Sequence, residues 1–208
     1  KRIIPDEYAT DIKYVINRAD VRKSEINKDE VVALTDYLKE VNENERIELK
    51  KLEISAYASP DGELDFNEKL SLKRQKSANK YLSSTLNKED MEVAEELLSL
   101  LSTAEDWDGF QKLMKASDIQ DKEMILRVLS MHSDPEVREQ EIKNISAAFE
   151  VIKEEILPEL RRSKFTVSVE KIGWSDEELV DLWNNDPNVL KLEELLYTAP
   201  LIDDMATK

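Results

Sequence analysis

Asn67, Ser71 and Arg74 are the residues of this sequence whose types and spacing best suit chemistry. At i, i+4 and i+7 they project from one face of a helix. That face begins just after the turn Ser59-Pro60-Asp61-Gly62, which follows an apolar stretch ending at Tyr57. An amide, a hydroxyl and a permanently charged guanidinium beside a strand-end turn make a small polar pocket suited to a carboxylate. Arg74 would supply the cation, Asn67 and Ser71 hydrogen bonds, and Ser59, Asp61 and Gly62 the rim. Spacing leaves a local alternative open, in which Arg74 pairs with Asp61 or Glu63 and Asn67 tethers the turn.

Other chemistries find little support. The lone His132 precedes a helix start with no Cys or second His near it, so a zinc site is not expected. Carboxylate pairs such as Glu154-Glu155 and Glu177-Glu178 carry little information among 46 acidic residues and read as solvated helix faces. Three scattered Gly residues build no phosphate loop. A Ser nucleophile lacks a nearby base and an oxyanion signature. The chain is therefore expected to be non-catalytic and to need no cofactor.

The elements that must hold the candidate residues follow from hydropathy. Asp11-Ile12-Lys13-Tyr14-Val15-Ile16 alternates polar and apolar and predicts a modest strand. Asn27, with Glu30 three residues on, marks a helix start, and Val31, Leu34, Leu38 and Val41 predict a helix over about 28–43. Leu49, Leu52, Ile54 and Ala56 predict a second strand, stopped at Ser59-Pro60-Asp61-Gly62, where Pro fixes φ and Gly supplies an unusual dihedral. Leu64, Leu70, Ala78, Tyr81 and Leu82 predict a helix over about 64–84. Strand, helix, strand and helix make an α/β or α+β core. Residues 91–101 read equally as strand or helix.

From about 104 to 163 the pattern is helical in short pieces. Trp107, Phe110, Leu113 and Met114 form one apolar stripe, and Met124, Ile125, Val128 and Leu129 another. Trp107 and Phe110 read as core of this region rather than as ligand-stacking rings. Ser133-Asp134-Pro135-Glu136 starts a helix that collects Ile142, Ile145, Phe149, Ile152 and Ile156 and is disturbed at Pro158. Residues 164–172 alternate over nine positions, the clearest strand, which Gly173 ends. Ser175-Asp176-Glu177-Glu178 starts another helix, and Leu190, Leu192, Leu195, Leu196 and Tyr197 suggest one more. The core closes around residue 172 and the tail is a separate helical element.

Composition bounds the partners. Thirty basic against 46 acidic residues give a net charge of −16, whereas a nucleic-acid binder needs a basic face, so none is expected. No run of about 20 apolar residues exists to span a membrane. The absence of Cys removes disulfides and thiolate chemistry. The chain starts at Lys1 rather than Met, and a targeting sequence is expected upstream.

The stretch from Ile54 to Leu82 resembles the OmpA-like domain, the peptidoglycan-associating module of bacterial envelope proteins. Tyr57 and Ala58 match that pattern's strand end, Gly62 its turn glycine, and Asn67, Leu70, Ser71 and Arg74 its helix. The resemblance implies that Arg74, with an Asp at the strand end, grips the diaminopimelate of the stem peptide. Ser59 stands where that Asp is expected, Asp61 lies two residues later, and Gln75 and Ala78 replace the usual Ala and Val. Loss of one charge-assisted contact costs roughly 1.5–3 kcal/mol, a tenfold or larger loss of affinity.

Trp107-Asp108-Gly109-Phe110, Asp134-Pro135-Glu136-Val137-Arg138-Glu139 and Leu157-Pro158-Glu159-Leu160-Arg161 are similar to a Bacteroidales subgroup with a helical insertion in this domain. Glu193-Glu194-Leu195-Leu196-Tyr197-Thr198-Ala199 resembles the lead-in to a tetratricopeptide region. The resemblance implies an α+β fold, a β-α-β-α sandwich of helices on a small mixed sheet. Residues 1–103 and 164–173 would form the domain, 104–163 an insertion before the last strand, and 174–208 a helical tail. It also implies a periplasmic module associated with the outer membrane. Two functions follow: peptidoglycan stem-peptide binding through the Arg-centred pocket, or protein-interaction scaffolding with a degenerate pocket. Ser59 and the acidic helical surface favour the second; Asn67, Ser71 and Arg74 favour the first.

Overall fold

Ile12, Leu52, Ile54, Phe165, Val167 and Val169 are buried together on one face of a four-stranded mixed sheet. The computed structural model describes residues 2–206. Its strands are β1 (Ile3–Lys13), β2 (Ile47–Tyr57), β3 (Leu98–Thr103) and β4 (Arg162–Ile172), in the order β1-β4-β2-β3. The last strand enters the middle of the sheet, antiparallel to both β1 and β2, while β3 runs parallel to β2 at one edge.

Ten helices complete an α+β fold among the described residues. Those over the sheet are α1 (Lys23–Ile26), α2 (Asp29–Glu43) and α3 (Leu64–Lys88). Val31, Leu34, Leu38 and Val41 bury one stripe of α2, and Ala78 and Leu82 the matching stripe of α3. The opposite sheet face carries Glu53, Lys164, Thr166 and Ser168, the in–out alternation of a sheet with one side solvated. In β2 the alternation changes phase. Its register against β4 shifts between Leu49 and Lys51, so Leu49 lies opposite Val169 and Leu52 opposite Val167. One extra residue reverses which positions face inward.

Between β3 and β4 lie α4 (Trp107–Ala116), α5 (Lys122–Ser130), α6 (Pro135–Asn144), α7 (Ser146–Glu155) and α8 (Leu157–Leu160). Phe110, Met114, Ile125, Leu129, Ile152 and Leu160 form their own core, separate from the one over the sheet. Trp107 packs edge to face on Phe110, ring centroids 5.8 Å apart. The tail holds α9 (Asp176–Asn185), opened by a Ser175–Glu178 capping box, and α10 (Leu192–Ala206). Arg46 ties it to the sheet, with its guanidinium 3.4 Å from the Trp174 ring centre and 2.9 Å from Glu178 Oε1. No helix among the described residues is long and apolar enough to cross a membrane.

Several expectations change. The first strand starts at Ile3, eight residues before the alternation suggests, and stops at Lys13. Pro5 is tolerated because β1 is an edge, and Tyr14 leaves the strand to bury its ring. Asn27 does not start α2; its N–H closes α1 onto Lys23 O at 3.1 Å. Residues 91–101 are neither one strand nor one helix, but a loop, a 3-10 turn at Glu95–Leu97 and the start of β3. The helix expected from Pro135 to Ile156 breaks at Ile145, which lets Ile145 and Phe149 both pack on the second core. The side chain of Ile142, and Lys1, Thr207 and Lys208, lie outside the described residues.

Glu25 pins the end of β1 to α1. Its carboxylate accepts from the Lys13 N–H at 2.9 Å, Arg22 Nη2 at 3.0 Å and Lys28 Nζ at 2.8 Å. Burial pushes this carboxyl up, but the Lys28 and Lys13 hydrogen bonds and the Lys28 and Arg22 charges outweigh it and hold it below the ordinary Glu value. A depressed carboxyl contributes stability above its unfolded pKa, near 4.5, that is lost as pH falls through the folded value. Glu25→Gln should therefore cost about 2 kcal/mol at neutral pH and flatten the acid limb of a stability–pH profile measured by urea unfolding.

Candidate functional site

The buried stripe of α3 has two halves. Ala78 and Leu82 continue the sheet core, whereas Asn67, Ser71 and Arg74 bring polar groups into the same buried face at its amino-terminal end. That end sits beneath the carboxyl end of β2, where the chain turns through Ser59-Pro60-Asp61-Gly62. A cleft of about 350 Å³ opens there, lined by Ser59, Asp61, Gly62, Asn67, Arg74 and, from outside the predicted set, Arg161. Ile16, Asn17, Glu63, Phe66 and Leu70 complete its wall.

Arg74 is fully buried, with 0% of its surface exposed, at the wall of the cleft. The loop after β1 folds over it. Its Nη1 donates to Tyr57 O at 2.8 Å, Nε to Arg18 O at 3.0 Å and Nη2 to Val15 O at 3.4 Å. The Tyr14 ring lies 5.0 Å from the guanidinium carbon, and the Tyr14 hydroxyl, 2.9 Å from Ser163 Oγ, also donates to Arg74 O at 3.3 Å. Burial lowers the Arg74 pKa to about 10; Tyr14 and Asp61 oppose the shift and Arg161 adds to it. The group stays charged at neutral pH, with no carboxylate paired to it among the described residues. The local alternative thus divides: Asn67 does tether the turn, through Nδ2 to Ser59 O at 3.1 Å and Gly62 O at 3.2 Å, but Arg74 pairs with neither Asp61 nor Glu63.

Asp61 has a different partner. Its carboxylate accepts from Ser59 Oγ and from Arg161 Nη2 at 3.3 Å, while Arg161 Nε donates to Ser59 Oγ at 3.2 Å. Arg161 closes the helical segment just before β4, and the sequence carries no mark of this role beyond a basic pair ahead of a strand. Next to it Arg162 Nη2 lies 2.8 Å from Asp106 Oδ2 at the start of α4, with its guanidinium over the Tyr57 ring at 4.8 Å. The Asp106 N–H reaches Ala58 O at 3.3 Å. Both ends of the helical segment between β3 and β4 are therefore stapled to the turn that forms the cleft.

Two predicted site residues contribute differently from expectation. Ser71 does not line the cleft; its hydroxyl donates to Glu68 O at 3.0 Å within α3, as buried helical Ser commonly does. Tyr57 offers its carbonyl to Arg74 rather than its ring to the cleft. Gly62 supplies no unusual dihedral, since no Gly among the described residues has positive φ. A Cβ on Gly62 would stand 3.4 Å from Asn67 Oδ1, an ordinary contact. On Gly109 it would stand 2.2 Å from Asp106 Oδ2, the carboxylate that caps α4 through the Gly109 N–H. Thermal unfolding should accordingly find Gly62→Ala within about 0.5 kcal/mol of wild type. The same measurement should find Gly109→Ala destabilised by about 1–2 kcal/mol, since the cap must be broken.

Chemically, the cleft offers two cations and two carboxylates, but the cation nearer solvent is already bridged to Asp61 and the other is sealed behind the loop. No family model matches this sequence, and no curated protein matches it.

Proposed function

We propose that this chain is a non-catalytic envelope module of the OmpA-like kind that works as a protein-interaction scaffold, in the periplasm and associated with the outer membrane, its strand-end cleft filled by its own side chains. The observation that carries this reading is the state of the two guanidinium groups. Arg74 is fully buried and bonded to three backbone carbonyls, and Arg161 is held by Asp61 and Ser59. A stem-peptide carboxylate reaching the cleft meets an ion pair already made. Opening a largely buried pair costs several kcal/mol, more than one new rim contact returns. The Asn67–Arg74 pattern and a helical insertion ahead of the last strand support the family; Ser59 at the expected Asp position supports loss of the ligand.

One observation favours the second reading, stem-peptide binding. Asp61 folds back onto Ser59, so a carboxylate does stand beside the position of the missing acid. In that reading the ligand's carboxylate displaces Val15 O, the longest of the three Arg74 bonds. Cosedimentation with purified diaminopimelate-type sacculi separates the two. The scaffold reading predicts that the protein stays in the supernatant. Sedimentation that free diaminopimelate competes away, and that Arg74→Lys loses, would establish stem-peptide binding instead.

A further inference from the structure

The far end of α3 meets an unblocked sheet edge. β3 is the outermost strand on its side, and Leu98-Ser99-Leu100-Leu101-Ser102-Thr103 has no charge and no Pro in a chain that is 37% charged. Leu100 is 38% and Leu101 48% exposed. The Thr103 carbonyl accepts from the Ala58 N–H, so Thr103, and by alternation Leu101 and Ser99, turn their backbone groups toward β2. Leu100 and Ser102 then point theirs outward, and no hydrogen bond joins them to another element among the described residues, while the Leu98 N–H closes back onto Glu95 O in the preceding 3-10 turn. The opposite edge differs: β1 carries Pro5, Asp6, Glu7 and Asp11, with Glu25 capping the Lys13 N–H. Such devices normally protect an edge from another strand, and β3 has none of them beyond the closed N–H of Leu98.

Beside that edge runs a groove of about 340 Å³ between α3 and the loop leading to β3. Leu82, Leu86, Met91 and Leu98 form its apolar lining. Asn79, Ser83 and Asn87, at i, i+4 and i+8 on α3, line its helix side. An open strand edge supplies main-chain hydrogen bonds, and an adjoining pocket accepts alternate side chains of an added strand. Acidic residues flank the uncharged strand at both ends: Glu92, Glu95 and Glu96 before it, Glu105 and Asp108 after it.

We propose that β3 and this groove take an extended segment of a partner protein, added as a fifth strand, with alternating apolar residues in the middle and basic residues at both ends. A second copy of this chain fits less well, because antiparallel pairing of two β3 edges sets Glu95 and Glu96 of one against Glu105 and Asp108 of the other. The proposal gives the scaffold reading its partner chemistry. It uses the opposite end of α3 from the cleft, so failure of one leaves the other standing.

The probe is a labelled peptide, Lys-Lys-Val-Thr-Val-Thr-Val-Lys-Lys, with Glu at all four Lys positions as control. Fluorescence anisotropy should show saturable binding of the basic-ended peptide and at least tenfold weaker binding of the control. Amide exchange should slow at Leu100 and Ser102 on binding. Leu100→Pro removes an outward N–H and Ser83→Arg fills the groove from an exposed helix position, leaving the ladder to β2 intact; each should weaken binding at least tenfold. Equal binding of both peptides, binding unchanged in Ser83→Arg, or no binding to folded wild type would overturn the proposal. So would protection of the same amides by concentration-dependent dimerisation without peptide.

Discussion

Arg74→Ala is expected to destabilise the protein by about 3–5 kcal/mol in urea unfolding, although Arg74 has no acidic partner among the described residues. Two effects oppose each other. Burying the guanidinium is unfavourable, as its lowered pKa of about 10 shows, and removing it relieves that cost. Against this, truncation leaves Arg18 O, Val15 O and Tyr57 O without their donor, at roughly 1–3 kcal/mol each where water cannot reach, and opens a cavity beneath Tyr14. Three orphaned carbonyls outweigh one relieved charge. Arg74→Met keeps most of the volume and none of the donors, so it should recover only the cavity share of the loss. A measured change below about 1 kcal/mol for Arg74→Ala would mean that the loop over β1's end is not braced by this residue.

The second large effect lies at the mouth of the cleft. Asp61→Ala removes the carboxylate that pairs with Arg161 and leaves that guanidinium, 8% exposed, without an acid. The expected cost is about 2–4 kcal/mol, less than for a fully buried pair because Asp61 keeps some contact with water. The Asp61→Ala, Arg161→Ala double mutant should be more stable than the two single losses sum to, because the second substitution removes the stranded charge. Additive losses in the cycle would show that the pair is incidental. Disruption here should also loosen the helical segment between β3 and β4, since Ser59, Asp61 and Ala58 meet Arg161 and Asp106 at its two ends. Faster proteolysis within residues 104–163 of Asp61→Ala would register that coupling.

What the sequence makes legible follows from the reach of each force. The α2 and α3 stripes and the nine-residue alternation of β4 are local periodicities, and each element lies where its pattern places it, to within a few residues. The bulge in β2 is also written locally, as the three-residue step from Leu49 to Leu52. β1 is less legible because Ile3 to Thr10 mixes Pro and charges that only an edge tolerates, and edge position is a tertiary property.

At the cleft, helical spacing brings Asn67, Ser71 and Arg74 to one face, and the turn does lie beside them. Spacing does not reveal that residues 15–18 close over Arg74. Arg161 is a hundred residues from Asp61, and no local pattern reports a contact of that separation.

Both cations of the cleft are already engaged from within, Arg74 by backbone carbonyls and Arg161 by Asp61 and Ser59. The most direct measurement follows the Arg74 and Arg161 side-chain Nε–H signals by NMR while a diaminopimelate-containing muropeptide is added to millimolar concentration. Unmoved signals, with the Arg74 proton protected from exchange throughout, are the predicted result. Saturable shifts of either signal, absent with a muropeptide carrying lysine in place of diaminopimelate, would contradict it.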